Sequence, residues 1–218
     1  MLLLPLGVIN VTAHLVCGSP YLWLPETLEG DVVGVDRGAL KLIEKGIEFD
    51  TAVGDFDSVS EVERQLIAKH VKVMSELPVN KDVTDCEAAV AHVVEKGYRD
   101  IYLYGVTGGR LDHMYAATIL MLKYVKQGVS IWVRDEQNKM FVLAPGYRHT
   151  IKVKDKNYLS FFALERSVRA LSLEGVKYPL DGYDLDVDDS LCVSNEAIWK
   201  RVLVSFGMGY LLVIQSSD

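Results

Sequence analysis

The feature that most constrains the fold of this 218-residue chain is a change of texture near residue 138. Before it, strand-like apolar runs alternate with amphipathic helical stretches; after it, short β-type runs follow one another with no helical pattern between them. In the first part, strands are expected at 8–17, 31–35, 51–53, 71–75 and 101–104. Helices are expected at 37–45, from an N-cap at Ser60 to about His70, at 82–96 and at 111–126, with Gly46, Gly97 and Gly128 as stops. Glu63, three residues after Ser60, completes a capping box. Strands alternating with helices imply a Rossmann-like parallel sheet with helices on both faces. Ligands of such sheets bind at the carboxyl ends of the strands. In the second part the runs at 140–143, 150–153, 158–164, 168–174, 190–193, 202–205 and 210–215, punctuated by Gly, Asn, Asp and Pro, read as a small antiparallel β-sandwich. The expected organisation is therefore α/β plus β, with one domain over 1–137 and a second over 138–218.

The formal charge of −7 argues against a nucleic-acid binder, because no basic stripe is present to neutralise a phosphate backbone. An acidic protein that handles a nucleotide must screen its phosphates locally, with a metal ion or a few placed basic side chains. Cys17, Cys86 and Cys192 are odd in number and far apart, with no CxxC pair, the usage of reduced thiols in a cytosol. The apolar start lacks a basic n-region and is too short to span a bilayer, so it reads as a first buried strand with a short leader. No other segment is apolar for long enough to cross a membrane.

Four polar clusters fall at expected strand ends. In Gly54-Asp55-Phe56-Asp57-Ser58, two carboxylates two apart on an extended chain project to one side, and paired hard oxygens suit Mg²⁺ bridged to phosphates. Alone, such a pair is more often an acidic solvated turn. Lys81-Asp82-Val83-Thr84-Asp85 stands at a helix start, where Thr and Asp serve as caps; Asp82 and Asp85, three apart, are expected on one helical face. Acids converging here with Asp55 and Asp57 would be costly unless a cation sat among them.

The third cluster, Gly105-Val106-Thr107-Gly108-Gly109-Arg110-Leu111-Asp112-His113, is a glycine-rich strand-to-helix turn. Its backbone N–H groups and Arg110 would make an anion site. It is neither a Walker A loop nor a dinucleotide fingerprint, and a turn used only for geometry would look the same. The fourth, Gly34-Val35-Asp36-Arg37-Gly38, is either an Asp–Arg pair at a helix start or a nucleotide contact. Four such clusters on one edge point to a Mg²⁺-dependent enzyme acting on a phosphorylated substrate.

These motifs, VDRG, GDFDS, KDVTD and GVTGGRLDH, together with KYPL (Lys177 to Leu180) and VSNE (Val193 to Glu196), resemble the thiamine pyrophosphokinase family. The resemblance runs from about residue 32 to the carboxyl end. It implies an amino-terminal domain that binds ATP, a β-sandwich that helps hold thiamine, and a cytoplasmic homodimer. It further implies Mg²⁺ on Asp55, Asp57 and Asp85, and catalytic roles for these three together with Arg110 and Asp112. Asp36, Arg37, Gly38, Asp82, Thr84, Gly108, Gly109 and His113 would contact the nucleotide, while Ser194 and Asn195 would contact the thiamine pyrimidine. One departure stands out: the family's usual ADGG is VDRG here, and Arg37 either meets a phosphate or pairs with Asp36. A Mg²⁺-dependent phosphohydrolase or another nucleotide transferase would use the same acids but leaves KYPL and VSNE without a role. A non-catalytic thiamine or nucleotide sensor leaves the three metal-directed carboxylates without one.

Overall fold

The structure, a computed structural model, describes residues 12–76, 83–153 and 158–218. The chain forms two compact units. The first comprises the described residues up to Leu120 together with Gly128–Asp135; the second comprises Met121–Gln127 and Glu136–Asp218.

In the first unit the order of elements is β1 (Thr12–Val16), β2 (Asp31–Val35), α1 (Gly38–Glu44), β3 (Thr51–Gly54), α2 (Glu61–His70), β4 (Val73–Glu76), α3 (Asp85–Glu95), β5 (Asp100–Tyr104), α4 (Leu111–Val125) and β6 (Ser130–Arg134). The strands pair in the order β6-β5-β1-β2-β3-β4, and every pairing is parallel. The order reverses between β1 and β5, which makes their carboxyl ends the switch point of the sheet.

Strand period two divides the side chains between the faces. Val16, Ala52 and Tyr104 join Leu40 and Leu42 of α1 and Ile67 of α2 in one buried cluster. Ala13, Leu15 and Val53 alternate with them and are also fully buried. Their cover is α3, which crosses β1, β2 and β3 and buries Ala89, Val90 and Val93. Helices therefore lie on both faces. Ser60 caps α2 with the full capping box expected from Glu63.

The second unit contains β7 (Asn138–Leu143), β8 (Arg148–Lys152), β9 (Tyr158–Ala163), β10 (Ser167–Glu174), β11 (Leu180–Asp186), β12 (Asn195–Glu196), β13 (Arg201–Ser205) and β14 (Leu211–Ser216). They form two antiparallel layers, β12-β9-β14-β7 and β11-β10-β13-β8. Leu159, Phe161, Leu211 and Val213 from one layer and Leu171, Leu173, Val202 and Val204 from the other are fully buried, the alternating inner faces of a sandwich. No helix among the described residues is long and apolar enough to cross a membrane.

Several local expectations are corrected. The run at 190–193 is a turn rather than a strand: the Asp189 carboxylate accepts the Leu191 N–H at 2.7 Å, and the Val193 N–H returns to the Ser190 carbonyl at 3.2 Å. Asp and Ser close turns through their side chains and so override the apolar pattern of Leu191, Cys192 and Val193. The third helix begins at Asp85, not at 82, because Thr84 is its N-cap and accepts the Glu87 N–H. Asp82 and Lys81, and with them the expected shared face of Asp82 and Asp85, lie outside the described residues. Three strands, β6, β11 and the two-residue β12, have no counterpart in the sequence-based reading.

Candidate active site

The carboxyl ends of β2 and β3 carry the acids. Beyond β2 the chain turns at Asp36, which adopts φ +49, and its N–H donates to the Val53 carbonyl at 2.9 Å. The turn enters α1 at Gly38, where a Cβ would stand 1.8 Å from the Val16 carbonyl oxygen, so only glycine fits. Beyond β3 the chain turns again at Phe56, with φ +56. The Phe56 ring is 3 % exposed and sits in the cluster with Leu42, Phe49 and Ile67. The motif is therefore not extended: its central residue plugs the core, and the flanking acids are turned outward.

Oxygens of Asp36, Asp55 and Asp57 all lie within 4.8 Å of one another. Asp36, read from the sequence as a nucleotide contact, thus joins the two acids of GDFDS. One of its oxygens accepts the Ser58 hydroxyl at 2.5 Å, while the other, Oδ1, is buried without a hydrogen-bond partner. The Asp55 charge beside Asp57 pushes its carboxyl above the ordinary aspartate range. The Asp57 N–H donates to the Asp55 carboxylate at 3.2 Å, and the Asp55 N–H donates to Asp85 Oδ1 at 3.1 Å. Asp85 thereby ties the start of α3 to the end of β3. An unpartnered buried carboxylate oxygen among mutually repelling acids is a donor set that fits a hard divalent cation such as Mg²⁺.

Arg37 is exposed and donates from Nη1 to the Ser58 carbonyl at 3.0 Å. In this structure it joins the two acidic turns rather than pairing with Asp36. Nearby, the adjoining Cys86 thiol, burial and the charges of Asp85 and Asp36 hold the Cys17 thiol well above the ordinary range.

The glycine turn follows β5. Gly105 has φ +69, and a Cβ there would stand 2.3 Å from the Cys17 carbonyl oxygen, so the turn lies directly on the chain leaving β1. Gly108, Gly109, Arg110, Asp112 and His113 are all exposed. Arg110 and Asp112 form a two-pronged pair at 3.1 and 2.5 Å. Bonding to Arg110 holds the Asp112 carboxyl below the ordinary range, and a further bond from the His113 N–H adds to it.

In the second unit, Ser194 is exposed with φ +57, and its N–H donates to Ser160 Oγ at 3.0 Å. Asn195 is 4 % exposed. Its Oδ1 accepts the N–H groups of Tyr178 and Glu196 at 3.0 Å each, and its Nδ2 donates to the Tyr178 carbonyl at 2.8 Å. The Asn195 amide therefore clips the KYPL segment to the VSNE segment, and the Lys177–Glu196 ion pair at 2.8 Å repeats the link. Sequence reasoning passed over Ser58 as a partner of Asp36, although it lay inside GDFDS. It also passed over Ser160, which carries no motif of its own.

A parallel α/β unit with acids and a glycine turn at its strand ends, joined to a β-sandwich, defines the class of a phosphate-handling transferase. The comparisons with known proteins specify which. Residues 27–133 match the family profile "Thiamin pyrophosphokinase, catalytic domain" and residues 148–211 the profile "Thiamin pyrophosphokinase, vitamin B1 binding domain". A curated thiamine pyrophosphokinase of Bacillus subtilis (strain 168) is 36 % identical over 212 residues, covering 95 % of this chain and 99 % of the relative. A crystal structure of thiamine pyrophosphokinase from Bacillus subtilis superposes with a TM-score of 0.86 at 36 % identity, over 95 % of this chain and 99 % of that one. A family protein from Enterococcus faecalis gives 0.86 at 35 % identity, with the same coverage of 95 % and 99 %. The chain belongs to the thiamin pyrophosphokinase family.

Proposed function

We propose that this protein transfers the pyrophosphoryl group of ATP to the hydroxyl of thiamine, giving thiamine pyrophosphate and AMP. The thiamine oxygen bonds to the β-phosphorus, the bond from that phosphorus to the α-phosphate oxygen breaks, and AMP leaves with the electron pair. Transfers of this kind demand placement and charge neutralisation more than covalent work from the protein. The reading is carried by the gathering of Asp36, Asp55 and Asp57 within 4.8 Å, in a chain that matches both family profiles.

Mg²⁺ would be held by Asp55 and Asp57, with Asp36 beside them and Asp85 fixing the Asp55 backbone as well as adding charge. Bound there, it would supply positive charge against the phosphate oxygens. The other groups have separate tasks. The turn at Gly108 and Gly109 offers N–H donors to phosphate, with His113 at its far end. Arg110 exchanges Asp112 for a phosphate oxygen, which frees the Asp112 carboxylate to accept the hydroxyl proton. The VDRG turn with Arg37 and Gly38, and the KDVTD motif with Asp82 and Thr84, border the nucleotide. Ser194 faces the thiamine pyrimidine, and Asn195 holds the segment that presents it. On this reading residues 1–137 are the ATP-binding catalytic domain and 138–218 the thiamine-binding domain.

The protein works as a cytoplasmic homodimer. Its three free cysteines accord with a reducing compartment. A second copy accords with the exposed stripe of Leu111, Tyr115 and Ile119 on one side of α4. The decisive assay is AMP formation from ATP and Mg²⁺ with and without thiamine, alongside Asp55→Asn. Thiamine-dependent AMP that falls by about 10²–10³-fold in the variant supports the reading. Phosphate release indifferent to thiamine would replace it with a phosphohydrolase.

A further inference from the structure

The glycine turn after β5 contains Gly105, Gly108 and Gly109 within six residues, a composition that leaves the backbone many conformations. Its order must come from elsewhere. Strand β5 lies between β1 and β6, and the turn is gripped from both sides by the residues that follow those neighbours. Ser19, past the end of β1, donates its hydroxyl to the Thr107 carbonyl at 2.8 Å. Asp135, immediately after β6, accepts the Thr107 hydroxyl on Oδ2 at 2.7 Å. Both bonds are part-buried, and the second is charge-assisted, hence among the stronger kind.

We propose that Ser19 and Asp135 are positioning residues that fix Thr107, and through it the N–H groups of Gly108 and Gly109, for the phosphates of the nucleotide. The inference rests on the functional reading above. A carboxylate beside a turn meant for anions works against its purpose unless it has another task, and clamping Thr107 is that task. It also removes Thr107 from the list of phosphate donors, because its one hydroxyl proton is committed to Asp135.

The test uses the full chain with Mg²⁺ and compares Thr107→Val, Thr107→Ser, Asp135→Ala and the double variant T107V/D135A. Two measurements are made: steady-state AMP formation, and calorimetric binding of α,β-methylene-ATP, which lacks the oxygen bridge that the reaction breaks. Thr107→Val should lower kcat/KM for ATP by about 10- to 100-fold, with KM for thiamine within about twofold of the parent. Thr107→Ser, which keeps the hydroxyl, should restore most of the loss, and the double variant should fall no further than Asp135→Ala alone. Analogue binding should weaken in step with KM for ATP. A Thr107→Val protein that binds the analogue like the parent, or additive losses in the double variant, would overturn the clamp. A parent that makes no thiamine-dependent AMP would instead overturn the functional reading, and analogue binding would still report on the clamp by itself.

Discussion

Phe56 offers a test of how the acidic turn is held. Its ring is buried in the cluster with Leu42, Phe49 and Ile67, while its backbone stands at φ +56, a region that disfavours any residue with a Cβ. Two substitutions separate these effects. Phe56→Ala removes the ring and keeps the backbone strain, so it should cost about 3–5 kcal/mol, the usual range for truncating a core aromatic. Phe56→Gly removes the same ring but relieves about 1–2 kcal/mol of left-handed strain. Against that relief stands the greater freedom of glycine in the unfolded chain, about 0.4–1 kcal/mol. The glycine variant should therefore be as stable as the alanine variant or more so by up to about 1.6 kcal/mol, the reverse of the order at an ordinary strand or helix position. With a urea m-value of about 2–3 kcal/mol/M, Phe56→Ala should move the far-UV circular dichroism midpoint down by about 1–2.5 M. A loss below about 1 kcal/mol for Phe56→Ala would refute the core-plug argument. A glycine variant clearly weaker than the alanine variant would refute the strain argument.

Two further outcomes follow from other parts of the molecule. Tyr98 and Tyr104, mainly through burial, and Tyr183, mainly through its bond to Asp189, have hydroxyls pushed up to about 12. The native state keeps these protons where the unfolded chain has already released them, so their stabilisation is complete below pH 10 and is lost as the pH climbs through 12; titration at 295 nm should show late phenols, with Tyr102 also raised by burial, and Tyr98→Phe should remove one of them. Replacing Ser60 with Ala breaks the capping box of α2 and should cost about 1 kcal/mol in thermal or urea unfolding, with Glu63 losing the hydroxyl bond that helps depress its carboxyl while the backbone N–H bond of residue 60 remains.

What could be read from the sequence follows the range of the forces involved. The Ser60–Glu63 box and the glycine stops are local, and alternation of apolar runs carries the parallel unit through 31–35, 51–53 and 101–104. The convergence of Asp36 with Asp55 and Asp57 is different. It depends on β2 lying beside β3 with Val35 opposite Val53, a pairing across sequence distance that no local pattern encodes. Strand β11 escaped because Asp181, Gly182, Asp184 and Asp186 make it read as a loop; its neighbour β10 supplies the pairing that its own composition lacks. Arg37 illustrates a third limit. An Asp–Arg dipeptide suggests a pair, yet the left-handed turn at Asp36 sends the guanidinium to the Ser58 carbonyl instead.

The division of the chain into units has a consequence for its synthesis. Met121–Gln127 is counted with the second unit, but Gly128–Asp135, which follows it, returns to the first. A ribosome making this protein releases the last turns of α4 before the sixth strand of the parallel sheet exists, and well before any strand of the sandwich. Those turns wait for partners still to be made while the chain goes back to finish the first unit. No single cleavage yields both units whole: a cut before residue 121 takes β6 from the first, and a cut after 135 takes the helical segment from the second. Gene fusions, split reporters and domain exchanges between relatives must therefore respect four alternating segments rather than two.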